Sequence, residues 1–285
     1  MQKFYKKYAP IFILPLLLCF GLVILIPFFS GVMFSFTKYK AFDNFEFNGF
    51  KNFELAFSPE YAPDNGIPTF WVSLGRTSLF AIISIVTINF NAFILALLLT
   101  KGLKGSNTYR SIFFMPNLIG GIVLGYIWKL ILNGILQAMG TNLSANPWYS
   151  FFGLVILMNW QQVGYMMIIY IAALMNVPTD LNESAEIDGA SKFKTTMHVT
   201  IPMVIPSFTI CTFLTLTNSF KLYDQNIALS GSGASTNLLA ADIVATLAPN
   251  GNLGPQQAKS LVFFLIVAVI SGIQVFATRS KEVEA

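Results

Sequence analysis

Six long apolar stretches constrain this chain more than any other feature: residues 11–36, 71–99, 111–132, 149–175, 201–220 and 260–278. Together they make up half of the 285 residues, yet Arg76 and Lys129 are the only charged side chains inside them. A bilayer core roughly 30 Å thick needs about 20 apolar residues per helix, so each stretch can cross once.

Composition agrees. Apolar residues are 55% of the chain and charged residues 11%, against about 25% charged in soluble domains. A soluble globular domain and a disordered chain are both excluded. A net charge of +4 is too mild for nucleic-acid binding. Cys19 and Cys211 sit far apart in apolar runs, with neither disulfide-framework nor metal-ligand spacing. The expected fold is an all-α integral membrane protein, a single domain over 1–285 with six transmembrane helices, having the lipid bilayer as a partner and no nucleic acid. The first run is too long for a signal-peptide core, and no small-x-small site follows it before Lys38. It reads as an uncleaved span.

Lys and Arg in alternate loops set the orientation. One side carries Lys3, Lys6, Lys7, Lys101, Lys104, Arg110, Lys192, Lys194, Arg279 and Lys281. The other carries Lys38, Lys40, Lys51, Lys221 and Lys259. Both termini are therefore expected in the cytoplasm. Arg76 and Lys129 lie near the ends of their runs, where long side chains snorkel to the headgroups. The outside loop 37–70, with Pro59, Pro63 and Pro68, is expected to lie along the membrane. A second outside loop, 221–259, holds a Gly/Ser-rich stretch at 229–235.

The cytoplasmic segment 177–200 carries the most information. Asp180 followed by Glu183 resembles a capping box, so a short helix should begin after Pro178. Gly189 breaks it, and a second helix can run from Ala190 until Pro202 opens the fifth span. The product is a charged helix–Gly–helix knuckle held between two spans. It suits docking to a soluble partner, and an ordinary amphipathic connector would look similar.

The pattern Glu183-Ser184-Ala185-x-x-Asp188-Gly189-Ala190, followed by Val199-Thr200-Ile201-Pro202, resembles the EAA loop of ABC-importer permeases. Pro116, Trp128, Gly134, Trp148, Trp160, Ala172 to Pro178 and Tyr223-Asp224 extend the likeness along nearly the whole chain. The sequence is similar to the MalF/UgpA-like permease subunits of carbohydrate ABC importers. That resemblance implies a bacterial cytoplasmic-membrane protein with an EAA-type coupling helix between spans 4 and 5. It also implies a second homologous permease, two ATP-binding subunits and an extracytoplasmic sugar-binding protein as partners. Carried over, Glu183 meets a basic residue of the ATPase, Gly189 permits a tight turn, Ala185 and Ala190 allow close packing, and Asp188 belongs to the same contact. Ser184 and Thr196 depart from the family pattern, and Ser230-Gly-Ser-Gly-Ala234 replaces a commoner outside motif.

The spans speak to mechanism independently. Ion-coupled carriers usually keep a carboxylate within the membrane, and none of the six runs contains Asp or Glu. The chain has no Walker A sequence, so energy must come from elsewhere. Neutral polar groups do line the runs. Trp160, Gln161, Gln162 and Tyr165 cluster in the fourth with Asn159, and Asn218, Ser219 and Tyr223 end the fifth. Amides match sugar hydroxyls and aromatic faces match pyranose rings, so these are the candidate substrate-pathway residues. Amides also glue transmembrane helices together. No catalytic residue, cofactor or metal is expected. His198 lies on the knuckle, across the membrane from the serine of Gly233-Ala-Ser235, which excludes a base–nucleophile pair there. The alternative is a self-sufficient carrier or facilitator for a neutral solute.

Overall fold

The computed structural model describes residues 13–40, 43–58, 69–231, 237–246 and 252–279. Lys3, Lys6, Lys7, both termini, Pro59, Pro63, Pro68 and most of the Gly/Ser-rich stretch lie outside the described residues. The chain is mostly helical. Among the described residues, five helices are long and apolar enough to cross a membrane, or six if one strongly bent pair counts as a single span. The residues group into two compact units, 1–70 with 246–265 and 71–245 with 266–285.

In the first unit, helix α1 (Ile13–Ser35) contains a π-helical turn at Gly21–Leu25. An antiparallel hairpin follows, β1 (Thr37–Lys40) and β2 (Asp43–Phe47), with Thr37 opposite Phe47 and Lys38 opposite Glu46. These strands correct the all-α expectation. Helix α2 (Lys51–Ala56) carries Asn52, which is fully buried. Its amide donates to the carbonyls of Ser35 at 3.0 Å and Thr37 at 2.8 Å, and its oxygen accepts from Asn48 and Asn252, each at 3.3 Å. One side chain thereby joins the end of α1, the hairpin and residue 252.

The second unit holds α3 (Thr69–Leu99, beginning in the first unit), α4 (Ser106–Phe114), α5 (Gly121–Ala138), α6 (Pro147–Met175), α7 (Thr179–Ile187) and α8 (Lys192–Thr195). Then come α9 (Ile205–Phe220), α10 (Asp224–Ser230), α11 (Leu239–Ala245) and the C-terminal part of α12 (Gly254–Arg279). Helix α6 is the central element. Asn146 caps it, its side-chain oxygen accepting from Trp148 N at 2.9 Å, and Pro147 opens it, as N-cap and first-turn preferences favour. Its 29 residues span about 44 Å. Leu154, Leu157, Met158, Met166, Met167 and Tyr170 are buried along it and pack with Phe80, Ile88, Ala92 and Cys211 into one core.

Three expected boundaries move. The sequence predicts one span over 111–132, but the chain breaks there into α4, a 3-10 turn at Met115–Leu118 and then α5. Pro116 supplies no N–H, and Ile119 is extended at φ −83, ψ 130. Lys129 consequently falls at the middle of α5, not near an end. The fifth span does not open at Pro202. A π turn at Thr196–Thr200 and a short turn at Ile201–Met203 precede a 68° bend, and α9 begins at Ile205. A continuous helix would need the N–H of residue 206 for the Pro202 carbonyl, and Pro206 has none. The sixth helix starts at Gly254 rather than 260, so Lys259 is not a loop lysine. It is buried in α12 and donates to the hydroxyls of Thr246 at 2.9 Å and Thr69 at 3.3 Å.

Candidate functional site

The knuckle is built from local rules. Helix α7 starts at Thr179 with Pro178 as its N-cap, and no side chain caps it. The capping box expected from Asp180 and Glu183 is therefore not formed. Asp180 sits inside the first turn, where a negative charge suits the helix dipole. At the other end Ala190 N donates to Ala185 O and Gly189 N to Glu186 O, both at 3.0 Å. Those two bonds are a Schellman motif around Gly189 at φ +78. Ser191 then caps α8, accepting from Lys194 N at 3.4 Å.

The motif residues fall into one compact turn. Glu183, Asp188 and Gly189 are exposed, and Ala185 and Ala190 are half-buried. Large apolar side chains stand beside them, with Ile187 86% and Phe193 72% exposed. Leu181 and Met197 are exposed as well. The surface thus combines acids with uncovered apolar groups on a backbone fixed by its own hydrogen bonds.

The candidate pathway residues divide. Trp160 is 45% exposed and meets Trp128 edge to face at 5.8 Å. It lines a cavity of about 620 Å³ together with Asn91, Asn159, Val163, Pro116 and Gly164. Asn91 donates to Asn159 at 3.4 Å, and Asn159 donates to Thr87 at 2.9 Å, so two amides stand beside one indole. Gln161 and Gln162 are buried and turn to their neighbours. Gln161 donates to the Ile119 carbonyl at 3.4 Å and accepts from Gln225 at 2.9 Å, and Gln162 accepts from Asn218 at 3.5 Å. Tyr165 is half-buried near Phe114. Ser219 is fully buried and donates to Thr215 O at 2.8 Å, and Tyr223 is the residue preceding α10. The structure brings Gln161, Gln162 and Asn218 into helix–helix bonds. It leaves only Trp160 of this set on the cavity.

Close backbone approaches, which sequence reading missed, hold this arrangement. A Cβ on Gly164 would overlap the backbone carbonyl of Phe113. On Gly125 it would lie 2.7 Å from Ala228 Cβ, and on Gly121 2.9 Å from Asp224 Cβ. Gly121 and Gly125 thus form a small-x-x-x-small face against α10. A second network is fully internal: Tyr170 donates to Asn89 at 2.8 Å, and Asn89 donates to Thr215 at 3.4 Å and Ile85 O at 2.8 Å. It ties α3, α6 and α9 together. Amides inside an apolar run are visible in sequence, but their partners are not.

Known proteins share both fold and sequence. Residues 8–282 match the family described as binding-protein-dependent transport system inner membrane component. A probable starch degradation products transport system permease protein, AmyD, of Thermoanaerobacterium thermosulfurigenes is 40% identical, covering 99% of this chain and 98% of that protein. The multiple sugar-binding transport system permease protein MsmF of Streptococcus mutans is 26% identical over 90% of each chain. A crystal structure of a bacterial ABC transporter involved in import of the acidic polysaccharide alginate has a chain that superposes with a TM-score of 0.76 at 18% identity, over 98% of both chains. At that identity the likeness speaks for the fold. The match along nearly the full length places the chain in the family of inner membrane components of binding-protein-dependent transport systems, as a multi-pass membrane permease.

Proposed function

We propose that the chain is one permease subunit of an ATP-driven sugar importer, acting as a single domain over residues 1–285 with six spans and both termini in the cytoplasm. A second, homologous permease completes the pathway, two ATP-binding subunits dock from the cytoplasm, and an extracytoplasmic binding protein delivers the solute. The observation that carries this reading is the knuckle. Its hydrogen-bonded turn at Asp188-Gly189-Ala190 joins a helix that exposes Glu183 and Ile187 to one that exposes Phe193, on a chain without a Walker A sequence of its own. Relatives named for starch degradation products and for multiple sugars support a sugar as the solute.

In this mechanism the polypeptide performs no bond chemistry. Closure of the ATPases moves the knuckle formed by α7 and α8, and the bent junction at Val204 passes that movement to α9. Rigid-body movement of packed helices then alternates access. Trp160 offers an apolar face to a pyranose ring, and Asn91 and Asn159 offer donors and acceptors to its hydroxyls. Glu183, Ala185, Asp188, Gly189 and Ala190 form the ATPase contact.

The test is recovery of the tagged chain in mild detergent, with mass spectrometry of what accompanies it and an ATPase assay. The proposal expects a second permease and a Walker A ATPase, with hydrolysis raised by a sugar-loaded binding protein. Recovery of the chain alone, moving solute across liposomes without ATP, would establish the facilitator instead.

A further inference from the structure

Between the end of α3 and the middle of α4 the chain makes a basic corner that the transport reading does not use. Lys101 and Lys104 are exposed, and Gly102 at φ +71 and Gly105 at φ +80 fold the turn that carries them. Leu99 O, a helix-end carbonyl with no partner of its own within the helix, accepts from Ser106 Oγ at 2.8 Å and from Arg110 Nη2 at 3.2 Å. Those bonds hold the guanidinium at the corner. Its Nε is buried and has no hydrogen-bond partner among the described residues. No Asp or Glu occurs in the sequence between residues 65 and 179, so the corner's three cations, Lys101, Lys104 and Arg110, have no counter-charge within that stretch of sequence.

Two large side chains stand among these cations. Leu103 and Tyr109 are each about half exposed, both at 49%. An amphipathic aromatic and an aliphatic side chain beside lysines at a span end match the chemistry of the lipid headgroup zone. Loop lysines alone would reflect topology. The fixed guanidinium, the flanking apolar pair and the absence of local acids go further than topology requires.

We propose that this corner binds the headgroup of an anionic phospholipid. Lys101 and Lys104 contact the phosphate, the Arg110 guanidinium offers a fixed donor at its edge, and Leu103 and Tyr109 lie against the glycerol and upper acyl region. The inference rests on the membrane placement of α3 and α5 and is independent of the solute carried.

The experiment is native mass spectrometry of the assembled transporter after equal exposure to phosphatidylglycerol and phosphatidylcholine. The expected result is preferential retention of phosphatidylglycerol by the wild type. A K101Q/K104Q variant should lose about 30-fold of that preference at low ionic strength, roughly five-fold per ammonium. A K51Q/K221Q variant, which removes two charges elsewhere, should keep it. All four lysines are exposed, so folding is preserved and is checked by monodispersity. Equal retention of the two lipids by the wild type, an unaltered preference in K101Q/K104Q, or an equal loss in K51Q/K221Q would overturn the proposal. So would a K101Q/K104Q variant that retains the lipid and loses only its ATP-binding subunits, since the corner would then serve a protein.

Discussion

The Ala190 N–H donates to the Ala185 carbonyl at 3.0 Å across Gly189, whose φ is +78. Nothing lies within 4 Å of where a Cβ on Gly189 would stand, so replacement there has a conformational cost and no steric one. Gly189→Val should cost about 1–2 kcal/mol locally and deform the turn that holds Asp188 and Ala190. Gly189→Asn should be milder, because Asn visits the left-handed region more readily. Stimulated ATPase activity in proteoliposomes should fall strongly for Val and modestly for Asn. Equal activity of the two variants would contradict this.

Gly164 lies against the Phe113 backbone. Backbone cannot swing aside as a flexible side chain can, so Gly164→Ala should cost about 3 kcal/mol or more. The measurable outcome is a lower thermal transition in detergent. An unchanged transition would mean that the α4–α6 packing adjusts freely.

Much of the knuckle was legible because its determinants are local. A glycine after a short helix needs no tertiary information, although the second helix begins at Lys192 behind a Ser191 cap and not at Ala190. The first helix starts after Pro178, as expected, but Pro178 itself is the N-cap, two residues before Asp180, so Asp180 lies in the first turn and caps nothing. Elsewhere tertiary packing decides. Pro116 marks a break, but where the third span resumes depends on Gly120 and on the fit of Gly121 and Gly125 against α10. Lys259 looked like a loop cation because its two threonine hydroxyls, on Thr69 and Thr246, are remote in sequence. The pathway residues illustrate the same limit. Trp160, Gln161 and Gln162 all suit a sugar pathway by side-chain chemistry, and only the partners Gln225 and Asn218 assign the two glutamines to helix packing.

That division is measurable. Trp160→Ala should raise the KM for uptake several-fold with little loss of stability, because the indole is half exposed on the cavity. Gln161→Leu should leave Gln225 Nε2 without its acceptor and cost about 1 kcal/mol or more, read as a lower thermal transition. A Trp160→Ala variant with unaltered KM would remove Trp160 from the pathway.

The Tyr170–Asn89–Thr215 network is buried in the core. Tyr170→Phe removes one hydroxyl and should cost about 0.6 kcal/mol, the average for a membrane hydrogen bond, and no more than about 1.7 kcal/mol. Asn89→Leu severs both links and should cost more. Reversible unfolding in mixed detergent micelles orders the two variants; a Tyr170→Phe variant as stable as the wild type would show that Tyr170 acts mainly by packing, and the reverse order would contradict the network.

The central claim is that energy enters through Glu183 and the turn that follows α7. It is tested most directly by Glu183→Lys in proteoliposomes containing the assembled transporter, with sugar uptake and ATP hydrolysis followed together. The substituted residue is exposed, so the protein should reach the membrane in normal amount. The account predicts that binding-protein-stimulated hydrolysis no longer drives uptake. Uptake and hydrolysis that stay coupled at the wild-type ratio would contradict it.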